Sequence, residues 1–173
     1  MDDRPAEDPR VPVAVSACLF GEAVRYDGDH KRHDVLRAAL DAHVRWVPLC
    51  PEVLGGLGVP RPAIRIVAEA DGHHVREVVS GIDRTGALHD AIEQILRTLD
   101  AEGVRGFVFK ARSPSCGVGD AEVVDPGGAH RGHGDGLAAA AVRAARPGVV
   151  VVSDEELTSA AACAAFLDRV RAT

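Results

Sequence analysis

Three short apolar runs in this chain each end at a cysteine, and that repetition constrains the fold more than any other feature. Val11 to Val15 leads through Ser16 and Ala17 to Cys18. Val44 to Leu49 runs straight into Cys50, and Val104 to Phe109 opens into Lys-Ala-Arg-Ser-Pro-Ser-Cys-Gly at 110–117. Runs of this length and character predict buried strands. Pro114 has no N–H to donate, so the third run must leave its sheet by Ser113. The small and hydroxylic residues around Cys116 leave backbone N–H groups and two hydroxyls available to whatever the thiol holds. Gly117 adds no side chain to obstruct approach.

Helical patterns separate these strands. From Asp34, read as an N-cap, the apolar positions Val35, Leu36, Ala39 and Leu40 predict a helix to about His43. Pro51 suits the first turn of a short helix, where the macrodipole favours the Glu52 carboxylate, and Gly55, Gly56 and Gly58 stop it. Arg61 to Ala68 and His74 to Val79 flank an Asp71-Gly72 turn and read as a hairpin. Thr85 to Glu102 carries one stripe of Leu88, Ile92, Ile95, Leu96 and Leu99 and is closed by Gly103. Gly134-Asp135-Gly136 opens an alanine-rich helix ending near Arg146, with N–H groups available to an anion or a polarised carbonyl. Val149 to Val152 is the last strand. Ser153 and Glu156 then form a capping box for a C-terminal helix with Leu157, Ala160, Ala164 and Leu167 facing inward. Asp120 to His133, rich in Gly and Asp and aperiodic, reads as a lid or a loose connection, without a helix to space His130 and His133 as metal ligands.

Strands alternating with helices predict an α/β fold of three layers, a mainly parallel sheet with helices on both faces and a small β-hairpin addition. The 173 residues suffice for one domain, 11–173, behind a flexible leader at 1–10. Aromatic residues make up only 3% of the chain, so the core must come from Val, Leu, Ile and Ala. A net charge of -6 argues against a nucleic-acid partner, which needs basic patches, and leaves a small molecule as ligand. The polar start is not a signal peptide, and no run approaches a membrane span, which points to the cytoplasm. Four cysteines in that compartment bind metal, react or lie buried more readily than they pair.

In open parallel sheets ligands sit beyond the carboxyl ends of the strands, where the strand order reverses. Cys18, Cys50 and Cys116 all occupy such ends, whereas Cys163 lies within Ala-Ala-Cys-Ala-Ala on a helix and reads as core. Three thiolates with one open position suit an iron-sulfur cluster better than structural zinc, whose ligands come in close pairs that complete a shell of four. A dithiol redox protein and a metal-stabilised binding domain without turnover use the same cysteines.

Several separate motifs then carry a resemblance. They are Val-Ser-Ala-Cys-Leu-Phe-Gly-Glu at 15–22 with Arg-Tyr-Asp-Gly at 25–28, and Cys-Pro-Glu-Val-Leu-Gly-Gly-Leu at 50–57 with Pro-Arg-Pro at 60–62. The segment at 110–117 and Gly-Asp-Gly-Leu at 134–137 follow in order. Together, from about Val11 to about Glu156, they resemble the domain-of-unknown-function 523 family. The resemblance implies a thiouracil desulfidase with a 4Fe-4S cluster on three cysteines, converting a thiolated pyrimidine to the oxo base and sulfide. By motif the cluster ligands fall on Cys18, Cys50 and Cys116, the catalytic carboxylate on Glu52 and an assisting hydroxyl on Ser113. The chain departs from the family pattern between Asp120 and His133, where members tend to carry an aromatic-containing segment.

Overall fold

A computed structural model of the chain describes residues 8–173, so most of the expected leader, 1–7, lies outside the described residues. Four strands form a parallel sheet in the order β2-β1-β5-β8: β1 (Val11–Ser16), β2 (Val44–Leu49), β5 (Gly106–Phe109) and β8 (Val150–Ser153). Alternation along β1 sends Val13 and Val15 to one face and Ala14 to the other, because successive Cβ atoms leave a strand on opposite sides. The first face is covered by α2 (Asp34–Leu40) and α6 (Ala160–Ala172) through Leu36, Leu40, Phe166 and Val170. The second is covered by α4 (Thr85–Ala101) and α5 (Leu137–Ala145) through Ile92, Ile95, Ala139 and Val142, against Phe107 and Phe109. The result is the expected three-layer α/β arrangement, with a single turn α1 (Ala17–Phe20) after β1 and another, α3 (Pro51–Leu54), after β2.

The addition is larger than a hairpin. β3 (Ile64–Glu69) and β4 (Gly72–Glu77) pair antiparallel about the Asp71-Gly72 turn, and β6 (Ala121–Val124) joins β3 in parallel. β7 (His130–Gly134) pairs antiparallel with β6, giving a second sheet of order β4-β3-β6-β7. The segment read as a lid or loose connection is therefore mostly a hairpin. Its buried half is short, with Ala121, Val123 and Val124 inside. Its outer half is an edge strand of His, Arg and Gly with no apolar residue, so it shows no hydrophobic alternation. Asp125 closes the turn, bonding to Gly128 and Ala129 while Gly128 takes a φ of 87°.

Two helix starts also differ from expectation. His33, not Asp34, caps α2, with Nδ1 accepting from the Leu36 amide, and α2 stops at Leu40. The Ser153–Glu156 capping box is present, yet it caps only a 3-10 turn, Asp154–Glu156. α6 begins later with its own cap, Ser159, so its inner stripe is Cys163, Phe166, Leu167 and Val170, while Ala160 and Ala164 face outward.

Candidate active site

The strand order places the reversal between β1 and β5, since β2 lies on one side of β1 and β5 on the other. Ser16 at the end of β1 bridges this crevice, its Oγ accepting from the Lys110 amide at 2.9 Å. Cys18 sits one residue inside α1, Cys50 is the residue between β2 and α3, and Cys116 lies in the turn segment after β5. All three line one cavity of about 520 Å³ together with Glu52, Ser113, Ser115 and Arg61. Cys163 is instead fully buried against the α2–α6 face, its Sγ 3.6 Å from the Leu157 carbonyl.

Each thiol is held by local backbone structure. Gly21, with a φ of 112°, ends α1 after one turn, and the following loop folds back so that Lys31 donates to the Cys18 carbonyl and His33 to that of Leu19. Pro51 starts α3, whose first turn brings Glu52 toward the cavity beside Cys50. The Cys116 segment is clamped by α5: Leu137 and Ala138 donate to the carbonyls of Pro114 and Ser115, and Gly136 to that of Gly117. The α5 amides expected to await an anion are thus spent on holding the cysteine turn.

Two glycines are required for that clamp. A Cβ at Gly136 would stand 2.6 Å from the Cys116 nitrogen and the Ser115 carbonyl carbon, closer than atoms pack. A Cβ at Gly117 would meet Asp120, Ala121 and the Ser113 carbonyl, so this glycine serves close packing behind the turn rather than access to the thiol.

Glu52 is the centre of the polar arrangement. Its Oε2 accepts from Arg61 Nε at 2.6 Å, and its Oε1 accepts from Ser115 Oγ at 2.7 Å. Arg61 and Glu52 side chains are only 3% and 11% exposed. Ser113 stands one step further out: its Oγ lies 3.1 Å from Ser115 Oγ and accepts from the Ser115 and Cys116 amides. The hydroxyl in contact with the carboxylate therefore belongs to Ser115. Sequence motifs alone do not separate two serines that flank one proline, and Arg61 was visible only as part of Pro-Arg-Pro.

Burial pushes the Cys18 thiol up to about 11, reinforced by the nearby Cys50, and the cations Lys110 and Arg25 offset part of this. Burial likewise raises Cys116 to about 12, with Cys50, Cys18 and Glu52 adding repulsion against the Ser16 hydroxyl. Cys50 is raised too, mainly by burial. These are the reverse of an activated redox thiol, whose pKa is lowered.

The three Sγ atoms do not all lie within 4.8 Å of one another. Two thiolates on a single zinc, each at about 2.3 Å, would stand under 4 Å apart, closer than this arrangement brings all three. Among the described residues Glu69, Asp71 and His74 do approach that closely. Their atoms are already engaged: His74 bonds Asp71 and Asp83 through its two ring nitrogens, and Glu69 pairs with Arg76 at 2.7 Å. His130 lies 3.2 Å from Glu122 on the exposed hairpin and is not among the residues that line the cavity.

Comparisons with known proteins identify the family. A family model described as 2-thiouracil desulfurase matches residues 13–155, which includes all three strand-end cysteines. The chain belongs to the 2-thiouracil desulfurase family. A relative, the uncharacterized protein YbbK of Bacillus subtilis strain 168, is 30% identical over 112 residues, covering 62% of this chain and 74% of the relative. A solved structure of the 4Fe-4S-dependent thiouracil desulfidase TudS, a DUF523 protein, superposes with a TM-score of 0.72 at 34% identity. The match covers 91% of this chain and 99% of that one. The β1-to-β5 crevice thus lies inside the matched region, as does the Glu52–Ser115–Arg61 arrangement. Among the described residues no helix is long and apolar enough to cross a membrane.

Proposed function

We propose that this 2-thiouracil desulfurase family member hydrolyses a thiouracil-like thiolated pyrimidine to the oxo base and sulfide, with a 4Fe-4S cluster on Cys18, Cys50 and Cys116. The observation that carries the reading is that three otherwise unpaired thiols and the Glu52 carboxylate line one cavity at the switch point of the sheet. When bound, a cluster with one iron free of protein ligands supplies a Lewis acid for a soft sulfur atom. The remaining chemistry falls to side chains of the chain.

Glu52 takes a proton from water as the water oxygen bonds to the thiocarbonyl carbon and the carbon–sulfur π pair moves onto sulfur. Loss of the second proton from that oxygen then forms the C=O double bond as the remaining carbon–sulfur bond breaks. The two protons, one of them returned by Glu52, leave with the sulfur as hydrogen sulfide, and no net oxidation or reduction occurs. Ser115, donating to Glu52, fixes the direction of the carboxylate. Ser113 donates in turn to Ser115, so the two hydroxyls form a proton path from the turn to Glu52. Tyr26, 45% exposed, supplies the aromatic ring of the cavity wall against which a planar base can lie. The unpaired thiols also suit a reducing cytoplasm.

The test is anaerobic reconstitution with iron and sulfide, followed by incubation with 2-thiouracil. The expected result is a brown protein with broad absorbance near roughly 400 nm that releases sulfide and uracil in equal amounts. A colourless zinc protein, or a brown one that leaves thiouracils, thiouridines and thionucleotides intact, overturns the reading.

A further inference from the structure

The buried Arg61 guanidinium makes more of the site than a salt bridge. Besides Glu52 Oε2, it donates through Nη1 to the carbonyls of Val24 and Gly58, both at 2.9 Å. Its backbone amide donates to the Tyr26 carbonyl at 2.9 Å. Four bonds from one residue therefore tie α3, the loop after α1 and the segment entering β3 to a single point. On a helix of one turn, this carboxylate, 11% exposed, has its torsions fixed by two partners, the Ser115 hydroxyl on Oε1 and Arg61 on Oε2, and of the two only Arg61 also reaches the neighbouring loops. The planar fork of an arginine can hold a carboxylate and two carbonyls at once, which the point charge of a lysine cannot.

We infer that Arg61 is the positioning residue of the desulfidation reaction: it aims the Glu52 carboxylate at the reacting carbon and couples that aim to the loop bearing Tyr26. The inference rests on the proposed hydrolytic function. It assigns Arg61 no contact with substrate, so its influence must pass through Glu52 and through the Tyr26 loop. A reacting group displaced by an ångström loses rate out of proportion to any change in the fold.

The experiment measures sulfide release, iron content and melting temperature on reconstituted wild type, Arg61→Ala, Arg61→Lys, Glu52→Gln and the Glu52→Gln/Arg61→Ala double variant. Arg61→Ala is expected to lower kcat by about a hundredfold with iron retained, Arg61→Lys to recover part of it, and guanidinium chloride at tens of millimolar to restore Arg61→Ala by about tenfold where equal sodium chloride does not. In the double variant, loss of Arg61 should add less than about threefold to the loss from Glu52→Gln, because residues acting as a unit are not additive. If Arg61→Ala proves unable to fold, Arg61→Lys carries the test: kcat reduced at wild-type iron content supports the inference, and kcat unchanged overturns it. Full additivity in the double variant, absence of guanidinium rescue, or rate loss that merely follows melting temperature also overturns it. Inactive wild type with intact iron sinks the hydrolytic function itself, a different result from active wild type with an indifferent Arg61.

Discussion

Ser115 Oγ donates to Glu52 Oε1 at 2.7 Å although the two residues stand 63 positions apart in the chain. The bond crosses from the turn after β5 to the first turn of α3 and joins the loop bearing Cys116 to the helix that follows Cys50. Ser113 reaches Glu52 only through Ser115. Ser115→Ala is therefore expected to lower kcat for sulfide release more than Ser113→Ala does. A hydrogen bond to a charged group is worth about 1.5–3 kcal/mol, which corresponds to roughly ten- to hundredfold in rate if realised at the transition state. The reverse ranking in steady-state kinetics would return the assisting role to Ser113.

Glu52→Gln keeps the size of the side chain and can still meet Ser115, but removes the base. The variant should stay brown and folded while turnover drops by at least about a hundredfold, the usual effect of deleting a positioned base. It also leaves the Arg61 guanidinium buried without its anion, so the melting temperature should fall, by an amount reflecting the roughly 3–5 kcal/mol lost when one partner of a buried pair is removed. Sulfide assays and a melting curve on one preparation check both. Full activity in that preparation removes Glu52 from the mechanism.

Cys18→Ser, Cys50→Ser and Cys116→Ser should each abolish iron retention, whereas Cys163→Ala should leave iron unchanged and lower stability only, by about 1–2 kcal/mol for a small cavity in the α2–α6 face. Iron quantitation after reconstitution decides. A requirement for Cys163, or dispensability of one of the other three, contradicts the proposed ligand set.

The pH dependence of the metal-free protein follows from the raised thiols. Cys18 at about 11 and Cys116 at about 12 keep their protons where an unfolded cysteine, near about 8.5, has lost its own. The folded state then binds more protons than the unfolded one, so this stabilisation is complete below about pH 8.5 and is lost as pH rises toward 11 to 12. Thiolate ultraviolet absorbance of the apoprotein should accordingly appear late in an alkaline titration, and metal assembly should release protons and strengthen with pH. Thiolate absorbance complete by about pH 8 would contradict the burial that raises these groups.

Gly136→Ala places a methyl group 2.6 Å from the Cys116 nitrogen. Relief requires α5 or the cysteine turn to move, so iron loading should drop even though Gly136 is not one of the proposed ligands. The overpacking itself should reduce stability by about 1–3 kcal/mol. Normal iron content in a normally melting variant would show that the turn tolerates the shift.

Much of this arrangement is legible in local sequence because the responsible forces are local. Apolar runs and helical stripes report which faces are buried, and the parallel sheet with helices on both sides follows from their alternation. The convergence of Cys18, Cys50 and Cys116 is legible for the same reason, since each lies at the end of such a run. The β6–β7 hairpin was not legible, because β7 is an edge strand held by backbone hydrogen bonds, with its His and Arg side chains exposed; such a strand needs no hydrophobic pattern. The start of α6 was not legible either, since two good caps, Ser153 and Ser159, compete within six residues and only packing of Phe166 and Val170 under the sheet chooses the helix phase. The choice of Ser115 over Ser113, and the role of Arg61, depend on where side chains distant in sequence come within 3 Å of one carboxylate. Short-range propensity carries no term for that, and only the closed tertiary structure decided it.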